Sequence, residues 1–198
     1  MYSENQAQEI LQFWPESTKL FIVGGTADGN EAQTITRAHP NVKCLGFEPN
    51  PKMFKIQTEM NFPGKLLTHA LWHSNGPGVL KMPHDLARSA SVCRDLDDHG
   101  CELQQVELRT LDSLEGEEGP FDDCVLWVDI ECAELQSLYG ATRLLTERKV
   151  LLINAEIMSE KEERDIDDFL TLCNFTKIHR WNNSMPNKWD VVYRLESV

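Results

Sequence analysis

Residues 20–51, LFIVGGTADGNEAQTITRAHPNVKCLGFEPNP, contain the pattern on which the predicted fold depends. The apolar run over 20–23 predicts a buried strand, and a glycine-rich turn comes directly after it. The next residues predict a helix over 30–38 and a second strand over 42–47, which leads into Glu48. This order of strand, glycine turn, helix and strand predicts one half of a nucleoside-binding crevice in an open α/β sheet.

The glycine turn and Glu48 supply two features that such a crevice needs. Gly24, Gly25 and Gly29 let backbone N–H groups and the start of a helix come close to a ligand. A carboxylate at the end of the next strand, here Glu48, can accept hydrogen bonds from both hydroxyls of a ribose. The alternative interpretation is a turn that connects strand and helix without binding a ligand.

The turn departs from the motifs that bind phosphate-bearing nucleotides. Thr26 stands where the dinucleotide pattern G-x-G-x-x-G has its second glycine. Asn30 and Glu31 stand where a phosphate-binding loop has Lys and Ser or Thr. S-adenosylmethionine carries no phosphate, so the pattern favours it over NAD. An NAD-dependent oxidoreductase remains a weaker alternative, which the lack of a separate substrate domain also opposes.

The composition predicts one globular domain over residues 1–198, since 41% hydrophobic and 26% charged residues are ordinary for such a chain. The net charge of −13 argues against nonspecific binding to nucleic acid, which requires Lys and Arg to neutralise phosphates. No run approaches the roughly 18 apolar residues of a membrane span. No nucleic-acid or membrane partner is therefore expected.

The cysteines and the first residues bear on the compartment. The six cysteines form no C-x-x-C pair, and Cys44, Cys124 and Cys132 lie in or beside predicted strands. Buried thiols are therefore expected rather than disulfides. The polar start lacks an apolar leader, so we expect a cytoplasmic protein. No Cys/His cluster has zinc-ligand spacing, and no metal site is predicted.

The remaining periodicity predicts alternating helices and strands. Apolar spacing over 4–13, closed by Pro15, predicts an N-terminal helix within residues 1–15. Further helices are predicted over 50–60, 133–145 and 159–172, and strands over 65–71, 79–82, 104–111, 124–130, 149–155, 175–181 and 189–195.

Three features lie between these elements. Residues 115–120 are predicted as an acidic turn, and Asp112 as the cap of the segment after it. Residues 83–102 are predicted as a long loop that serves as a lid or substrate-contact segment. The alternative for this loop is an insertion with no role in binding.

The order of the elements predicts an α/β fold, a single-domain three-layer α/β/α sandwich. The near-continuous apolar runs of the central strands predict a mostly parallel sheet with helices on both faces. The last two strands, joined by the short polar turn NNSMPNK, add one antiparallel strand.

Several segments together resemble the FkbM-type methyltransferases, a branch of the class I S-adenosylmethionine-dependent enzymes. They are 22–25 (IVGG) with Gly29, 46–51 (GFEPNP), 70–71 (AL), 110–114 (TLDSL), 128–134 (VDIECAE), 138–141 (LYGA), 144–145 (LL) and 155–156 (AE). The most specific combination is FEPNP followed by LDSL and D-I-E-x-A-E-x-x-x-L-x-G-A.

The resemblance implies a seven-stranded, mostly parallel sheet with one antiparallel strand, and S-adenosylmethionine as the cofactor. It implies that the glycine turn borders the methionine portion and that Glu48 holds the ribose. Ala70 and Leu71 would border the adenine, with Asp129 near the transferred methyl group. The implied cofactor-binding residues are Gly24, Gly25, Asp28, Gly29, Glu48, Pro49, Ala70, Leu71 and Asp129.

The chain departs from the family pattern at several positions. Ile22 replaces an acid, Trp127 a lysine and Cys132 a glycine, and the glycine turn is one residue longer. Asp28 is placed to take part of the role of the missing acid. These departures favour an alternative, a catalytically degenerate methyltransferase-fold protein that acts as a binding or interaction module. The intact Glu48 opposes it.

Acids after the strand over 124–130 are the predicted catalytic residues. Methyl transfer depends on positioning the acceptor, and a hydroxyl acceptor gains from a general base. Asp129 is the first candidate, as wall, orienter or base, and Glu131 is the second. The alternative for Glu131 and Glu134 is that they cap the following helix. A Mg²⁺ ion between Asp129 and Glu156 is a lesser alternative.

The acceptor is implied only by the resemblance, because family members methylate hydroxyls of small molecules and sugars. A hydroxylated small molecule is therefore the expected partner. Residues 83–102, Trp181 and Trp189 are candidate substrate walls, although the two aromatic residues fit core cover equally well. His73 and His84 are lesser candidates for the base.

Overall fold

The computed structural model describes residues 2–84, 89–92, 100–182 and 188–196. The strands in these ranges are β1 (Leu20–Gly24), β2 (Lys43–Phe47), β3 (Lys65–Leu67), β4 (Ala70–Leu71), β5 (Gly76–Pro83), β6 (Cys101–Arg109), β7 (Cys124–Val128), β8 (Val150–Ile157), β9 (Phe175–Asn182) and β10 (Trp189–Leu195). The helices are α1 (Tyr2–Ile10), α2 (Asn30–Ala38), α3 (Pro51–Glu59), α4 (Leu111–Glu118), α5 (Glu134–Tyr139), α6 (Thr142–Thr146) and α7 (Glu160–Leu172).

Seven strands form the main sheet in the order β3-β2-β1-β7-β8-β10-β9. Strand β1 lies between β2 and β7 and runs parallel to both, with Leu20 in register with Lys43 on one side and Cys124 on the other. Strand β10 runs antiparallel to β8 and β9. The predicted sheet is confirmed. Its strand order reverses between β1 and β7, and ligands of open α/β sheets bind outside the carboxyl ends of the strands at such a point.

Helices cover both faces of this sheet, because its central strands are apolar on both sides. Val125 and Trp127 of β7 pack in a cluster with Ala7 and Ile10 of α1 and with residues of α2. Alternate residues of β7, such as Leu126, face a second cluster to which α4, α5, α6 and α7 contribute. The three-layer sandwich predicted from the sequence is therefore confirmed.

Local sequence signals start two helices where they were expected. The Asn50 side chain accepts a hydrogen bond from the backbone N–H of Lys52 at 3.0 Å, and Pro51 opens α3. The Ser159 hydroxyl accepts from the N–H of Glu162 at 3.1 Å and starts α7. The buried face of α3 then packs beside the glycine turn through Gln57, which donates to the Ala27 carbonyl at 2.7 Å.

Two local predictions around α4 are wrong. Residues 111–118 form a helix, so most of the predicted acidic turn is helical. Thr110 caps α4, since its hydroxyl accepts from the N–H of Ser113 at 3.1 Å. Asp112 instead caps α6, because its carboxylate accepts from the N–H groups of Arg143 at 2.8 Å and Leu144 at 3.0 Å. A cap supplied from a distant segment leaves no local sequence signal.

The single helix predicted over 133–145 is two helices. Helix α5 ends at Tyr139, and α6 begins at Thr142. Gly140 between them lies so close to another segment that a Cβ there would be 2.0 Å from the Trp72 carbonyl oxygen. Its own carbonyl accepts from the N–H of Asp112 at 3.0 Å. This close packing occupies the position that a continuous helix would need.

A second, three-stranded sheet was not predicted. Its order is β4-β6-β5, with β6 antiparallel to β5 and parallel to β4. The segment predicted as one strand over 65–71 divides between the two sheets, since β3 belongs to the main sheet and β4 to the second. Periodicity marked strands over 79–82 and 104–111, but it carries no information on which strands pair.

The segment 83–102 is shorter as a loop than predicted. Strand β5 continues to Pro83, and β6 begins at Cys101. Ser91 forms an isolated antiparallel bridge with Lys81. Residues 85–88 and 93–99 lie outside the described residues, and the role of the loop as a lid stays a prediction.

Two further features concern the chain as a whole. Among the helices of the described ranges, none has the length and apolar character needed to cross a bilayer. The five cysteines of these ranges form no disulfide, and Cys44, Cys124 and Cys173 are buried. Burial raises the pKa of the Cys44 thiol to about 12, so this thiol is a weak nucleophile.

Candidate active site

The glycine turn brings the ends of β1 and β7 into contact. Gly25 has a φ of 77°, and a Cβ at this position would lie 1.9 Å from the carbonyl oxygen of Asp129. The Asp129 N–H donates to the Gly24 carbonyl at 3.1 Å. Only glycine combines this left-handed conformation with so close an approach. The predicted cofactor turn and the predicted catalytic acid are therefore direct neighbours.

Glu48 lies at the carboxyl end of β2, under the glycine turn. It is 6% exposed, and its Oε2 accepts from the N–H of Ala27 at 3.0 Å. Its Oε1 accepts from the N–H of Asn50 at 2.9 Å. Burial raises the Glu48 pKa to about 7, although these N–H donors and the Thr26 hydroxyl favour the ionised form. The carboxylate thus ties the turn to the start of α3.

The other residues predicted to bind the cofactor lie around this turn. Leu71 packs against Gly24, since a Cβ on Gly24 would be 2.9 Å from the Leu71 Cδ1 atom. Ala70 is buried beside it in β4, and Asp28 and Pro49 are half-buried. No measured contact assigns a ligand to these residues, and their binding roles stay predictions.

Acidic side chains converge beyond the carboxyl ends of β7 and β8. One carboxylate oxygen from each of Asp129, Glu134 and Glu156 lies within 4.8 Å of the others. Withdrawal from water, together with the charge of Glu156, raises the Asp129 pKa well above its usual range. Burial likewise raises the pKa of Glu156, while a hydrogen bond with Asp129 lowers it. Asp129 and Glu156 are therefore close enough for the charge of each to influence the pKa of the other.

A lysine from the start of the last strand enters this cluster. The Lys188 Nζ atom donates to Glu156 Oε2 at 2.9 Å and to both carboxylate oxygens of Glu131 at 3.2 Å. Burial lowers the Lys188 pKa, but Glu156 and Glu131 raise it more, and the net shift is upward. Lys188 remains a cation and neutralises part of the acidic charge.

Asp190 adds a further carboxyl group on β10. It is 2% exposed and accepts from the Asn154 Nδ2 atom at 3.2 Å and from the Gln6 side chain of α1. Burial and the charge of Glu156 raise its pKa to about 7. The predicted N-terminal helix, α1, thus reaches the acidic cluster through Gln6.

The turn between β7 and α5 holds an unusual backbone. Glu131 and Cys132 have φ values of 56° and 76°, a left-handed conformation that costs a non-glycine residue roughly 1–3 kcal/mol. Cys132 stands where the family pattern has a glycine. Its positive φ explains why a glycine would suit this position. The Ser91 hydroxyl donates to the Glu131 carbonyl at 2.6 Å and supports the turn. Part of segment 83–102 therefore touches the candidate site.

Glu134 reaches back from the first turn of α5. Its Oε1 accepts from the N–H of Ile130 at 2.8 Å. The capping interpretation therefore holds in part, because Glu134 binds a backbone N–H group of the turn that precedes the helix. The side chain is 0% exposed, and Oε2 has no hydrogen-bond partner within the described residues. The predicted catalytic roles of Asp129 and Glu131 stay predictions.

Sequence reasoning missed the contribution of β10 and α1. Lys188, Asp190, Asn154 and Gln6 were not candidates, because they belong to distant segments. The one available signal was the charged pair around Trp189 at the start of an otherwise apolar strand. It marks a strand end that faces a polar site.

The histidines predicted as lesser bases lie on or beside the second sheet. His73 is exposed, with its ring centre 5.3 Å from that of Trp72. His84 is exposed at the end of β5, where its N–H donates to the Gly100 carbonyl at 3.4 Å. No measured contact connects either ring with Asp129, and their role as bases is untested.

Comparison with solved structures identifies the fold as that of class I methyltransferases. A candidate rRNA methylase from Clostridium thermocellum superposes with a TM-score of 0.58 at 10% identity, over 100% of this chain and 97% of that one. Precorrin-6y C5,15-methyltransferase from Geobacter metallireducens gives 0.54 at 10% identity, over 98% and 88%. The N-terminal domain of human METTL16, in complex with SAH, gives 0.52 at 10% identity, over 98% and 68%.

Comparison of the sequence itself is more specific. Curated proteins give no significant match to this chain. The family model of the methyltransferase FkbM domain matches residues 24–177, from the glycine turn to β9. The match includes the turn, Glu48, Asp129 and Glu156, and it covers most of the chain. The chain belongs to the FkbM methyltransferase domain family.

Proposed function

We propose that the protein transfers the methyl group of S-adenosylmethionine to a hydroxyl of a small molecule or sugar. The contact between the glycine turn and Asp129, with Asp129 paired to Glu156, carries this proposal. It supports the proposal because the predicted cofactor turn and the predicted base lie at the same edge of the sheet. A structural neighbour with this fold is in complex with SAH, the product form of the cofactor.

The residues of the turn fit S-adenosylmethionine. The Glu48 carboxylate accepts two backbone N–H groups and interacts with the Thr26 hydroxyl, which leaves one of its four acceptor sites for a ribose hydroxyl. The absence of a Cβ at Gly25 lets the turn lie directly against Asp129. Leu71 supplies apolar surface next to Gly24, as a bound adenine requires. When bound, the cofactor supplies an electrophilic methyl group on a sulfonium.

The acidic edge can take the acceptor's proton. An acceptor hydroxyl bound beside Asp129 gives its proton to the carboxylate as its oxygen forms a bond to the methyl carbon. The carbon–sulfur bond breaks, and its electron pair stays on the sulfur of S-adenosylhomocysteine. The raised pKa of Asp129 makes it a stronger base than an ordinary carboxylate. This step requires Asp129 to be ionised when the acceptor binds.

The charge of the site supports a neutral acceptor with hydroxyl groups. The net charge of −13 and the cluster around Asp129 and Glu156 repel phosphates, which opposes nucleic acid as the acceptor. Carboxylates are good acceptors for the hydroxyls of a sugar. The methylases of rRNA and precorrin among the structural neighbours share the fold, and their substrates are not carried over.

Titration calorimetry tests the cofactor first. We expect S-adenosylmethionine and S-adenosylhomocysteine to bind and NAD not to bind. Glu48→Gln should weaken binding at least about tenfold, because it removes a charged hydrogen bond to the ribose. The exposed Glu59→Gln is the matched control and should leave the affinity unchanged. Transfer of a labelled methyl group to a panel of sugars and other hydroxylated compounds then tests the reaction.

A second function has one specific observation in its favour. Both Glu48 oxygens already accept backbone N–H groups, so the turn is stable without a ligand. A degenerate protein that keeps the fold for a partner would show this arrangement. If S-adenosylmethionine, S-adenosylhomocysteine and NAD all fail to bind, the enzyme proposal is wrong and the binding module is favoured. A preference for NAD would contradict both.

A further inference from the structure

The Glu134 carboxylate has an oxygen that the described protein leaves unsatisfied. The side chain is 0% exposed, Oε1 accepts from the Ile130 N–H, and Oε2 has no hydrogen-bond partner within the described residues. A buried carboxylate oxygen without a donor is costly, because it has lost its water without replacement. Such an oxygen is satisfied by a proton, a cation or an ordered water.

The neighbouring carboxylates place further oxygens around the same point. One oxygen each from Asp129, Glu134 and Glu156 lies within 4.8 Å of the other two. Two oxygens on opposite sides of one ion are about 4.2 Å apart for Mg²⁺ and about 4.8 Å apart for Ca²⁺, twice the metal–oxygen distance. The spacing of the three oxygens therefore matches the ligand sphere of a single ion.

The charge balance points to a cation. Lys188 donates to Glu131 and Glu156 and supplies one positive charge to the cluster. Asp129 lies close enough to four further carboxyl groups to feel their charge, those of Glu131, Glu134, Glu156 and Asp190. A divalent cation would offset the repulsion that remains among these carboxylates.

We propose that Asp129, Glu134 and Glu156 bind one divalent cation through oxygen ligands. A site made only of carboxylates suits hard ions such as Mg²⁺, Mn²⁺ or Ca²⁺. Three protein ligands leave coordination positions for water or for an acceptor hydroxyl.

The role of the ion in catalysis rests on the proposed function, whereas its binding does not. An acceptor hydroxyl that ligates the ion becomes more acidic and is held beside the transferred methyl group. The second oxygen of Asp129 remains to accept the hydroxyl proton, as the carbon–sulfur bond breaks and its electron pair stays on sulfur.

Binding of Mn²⁺ to the full chain, without cofactor, tests the site by electron paramagnetic resonance and calorimetry. We expect one Mn²⁺ per chain. Glu134→Gln and Glu156→Gln should each weaken binding at least about tenfold. Glu115→Gln is the matched control, since that carboxylate is paired with Arg143 at 2.7 Å and Lys149 at 2.6 Å.

Two outcomes would overturn the site. The first is that the wild-type protein does not bind Mn²⁺ at millimolar concentration. The second is that Glu134→Gln and Glu156→Gln both bind Mn²⁺ as tightly as the wild type. Circular dichroism checks the fold of each variant, which we expect to be kept because glutamine removes a buried charge. If Glu134→Gln does not fold, Glu156→Gln decides the question by the same readout.

Activity separates this inference from the proposed function. Mn²⁺ binding without methyl transfer to any acceptor would leave the metal site standing and contradict the methyltransferase. Methyl transfer that persists in EDTA, in a protein that binds no Mn²⁺, would support the methyltransferase and contradict the metal site.

Discussion

Asp190 lies directly opposite Glu156 in the antiparallel ladder between β8 and β10. Two like charges at such a position destabilise a sheet, and both side chains are buried. Asn154 donates to Asp190, and Lys188 donates to Glu156, which relieves part of the repulsion. The rest is relieved by a proton, since burial and Glu156 raise the Asp190 pKa to about 7.

This pair makes the stability of the protein depend on pH. The Asp190 pKa rises from its ordinary 3.8 to about 7 on folding, so the folded state binds the extra proton. The stabilisation that this bound proton contributes is fully present below the pKa of the unfolded Asp and is lost as the pH rises through 7. The loss amounts to roughly 4 kcal/mol in the free energy of unfolding.

Urea unfolding at about pH 5 and about pH 8 measures the part of this loss that falls between these pH values, roughly 3 kcal/mol, because the unfolded Asp is already ionised at pH 5. We expect the decrease between the two pH values to be smaller in Asp190→Asn than in the wild type. The exposed Asp165→Asn, whose carboxylate is paired with Lys161, is the control and should show the wild-type decrease. Equal decreases in all three proteins would show that Asp190 is not the group that titrates.

Glu48 predicts a pH dependence of cofactor binding. Its pKa of about 7 means that the free protein is partly protonated at neutral pH, mainly because of burial. The ribose hydroxyls donate to the ionised form, so S-adenosylmethionine should bind more tightly as the pH rises through 7 and level off above it. Calorimetry at several pH values measures the effect.

The matched variant for this effect is Glu48→Gln. It should bind the cofactor weakly and with little dependence on pH in the same range, because glutamine does not titrate. A wild-type affinity that is constant through pH 7 would contradict the assignment of the ribose to Glu48.

Substitution of Asp129 should reduce turnover without reducing the affinity for the cofactor. Asp129→Asn removes the base but keeps a side chain of similar size beside the glycine turn. We expect kcat to fall by about 10²- to 10⁴-fold, the usual value of a general base. The affinity for S-adenosylhomocysteine should change little. Glu131→Gln should lower kcat less, since Lys188 already holds that carboxylate. Full turnover in Asp129→Asn would exclude it as the base.

A single added methyl group at Gly25 should strongly destabilise the folded protein. Gly25→Ala places a Cβ 1.9 Å from the Asp129 carbonyl oxygen in a left-handed conformation. We expect a loss of at least about 2 kcal/mol in the free energy of unfolding, from strain and displaced backbone. Gly116→Ala is the control, since no atom lies within 4 Å of its added Cβ. It lies in α4 and should stabilise the protein by about 0.5–1 kcal/mol. Similar effects of the two changes would contradict the contact between the strand ends.

Much of the fold is encoded in local pattern. The helix over 30–38 and the strands over 20–24 and 43–47 are close to their predicted bounds, because apolar spacing and the glycine turn act over a few residues. The placement of Asp129 after a buried strand is also readable from sequence. The pairing of β4, β5 and β6 into a second sheet is not, since periodicity does not select a partner.

By itself the sequence determined the strand–turn–helix order, the parallel sheet and the positions of Glu48 and Asp129. Only the tertiary structure decided the composition of the acidic cluster. Glu156, Lys188 and Asp190 meet because β10 runs antiparallel beside β8, which sets the residues of one strand opposite those of the other. Such a register depends on packing across the whole sheet, and no local stretch of the chain encodes it.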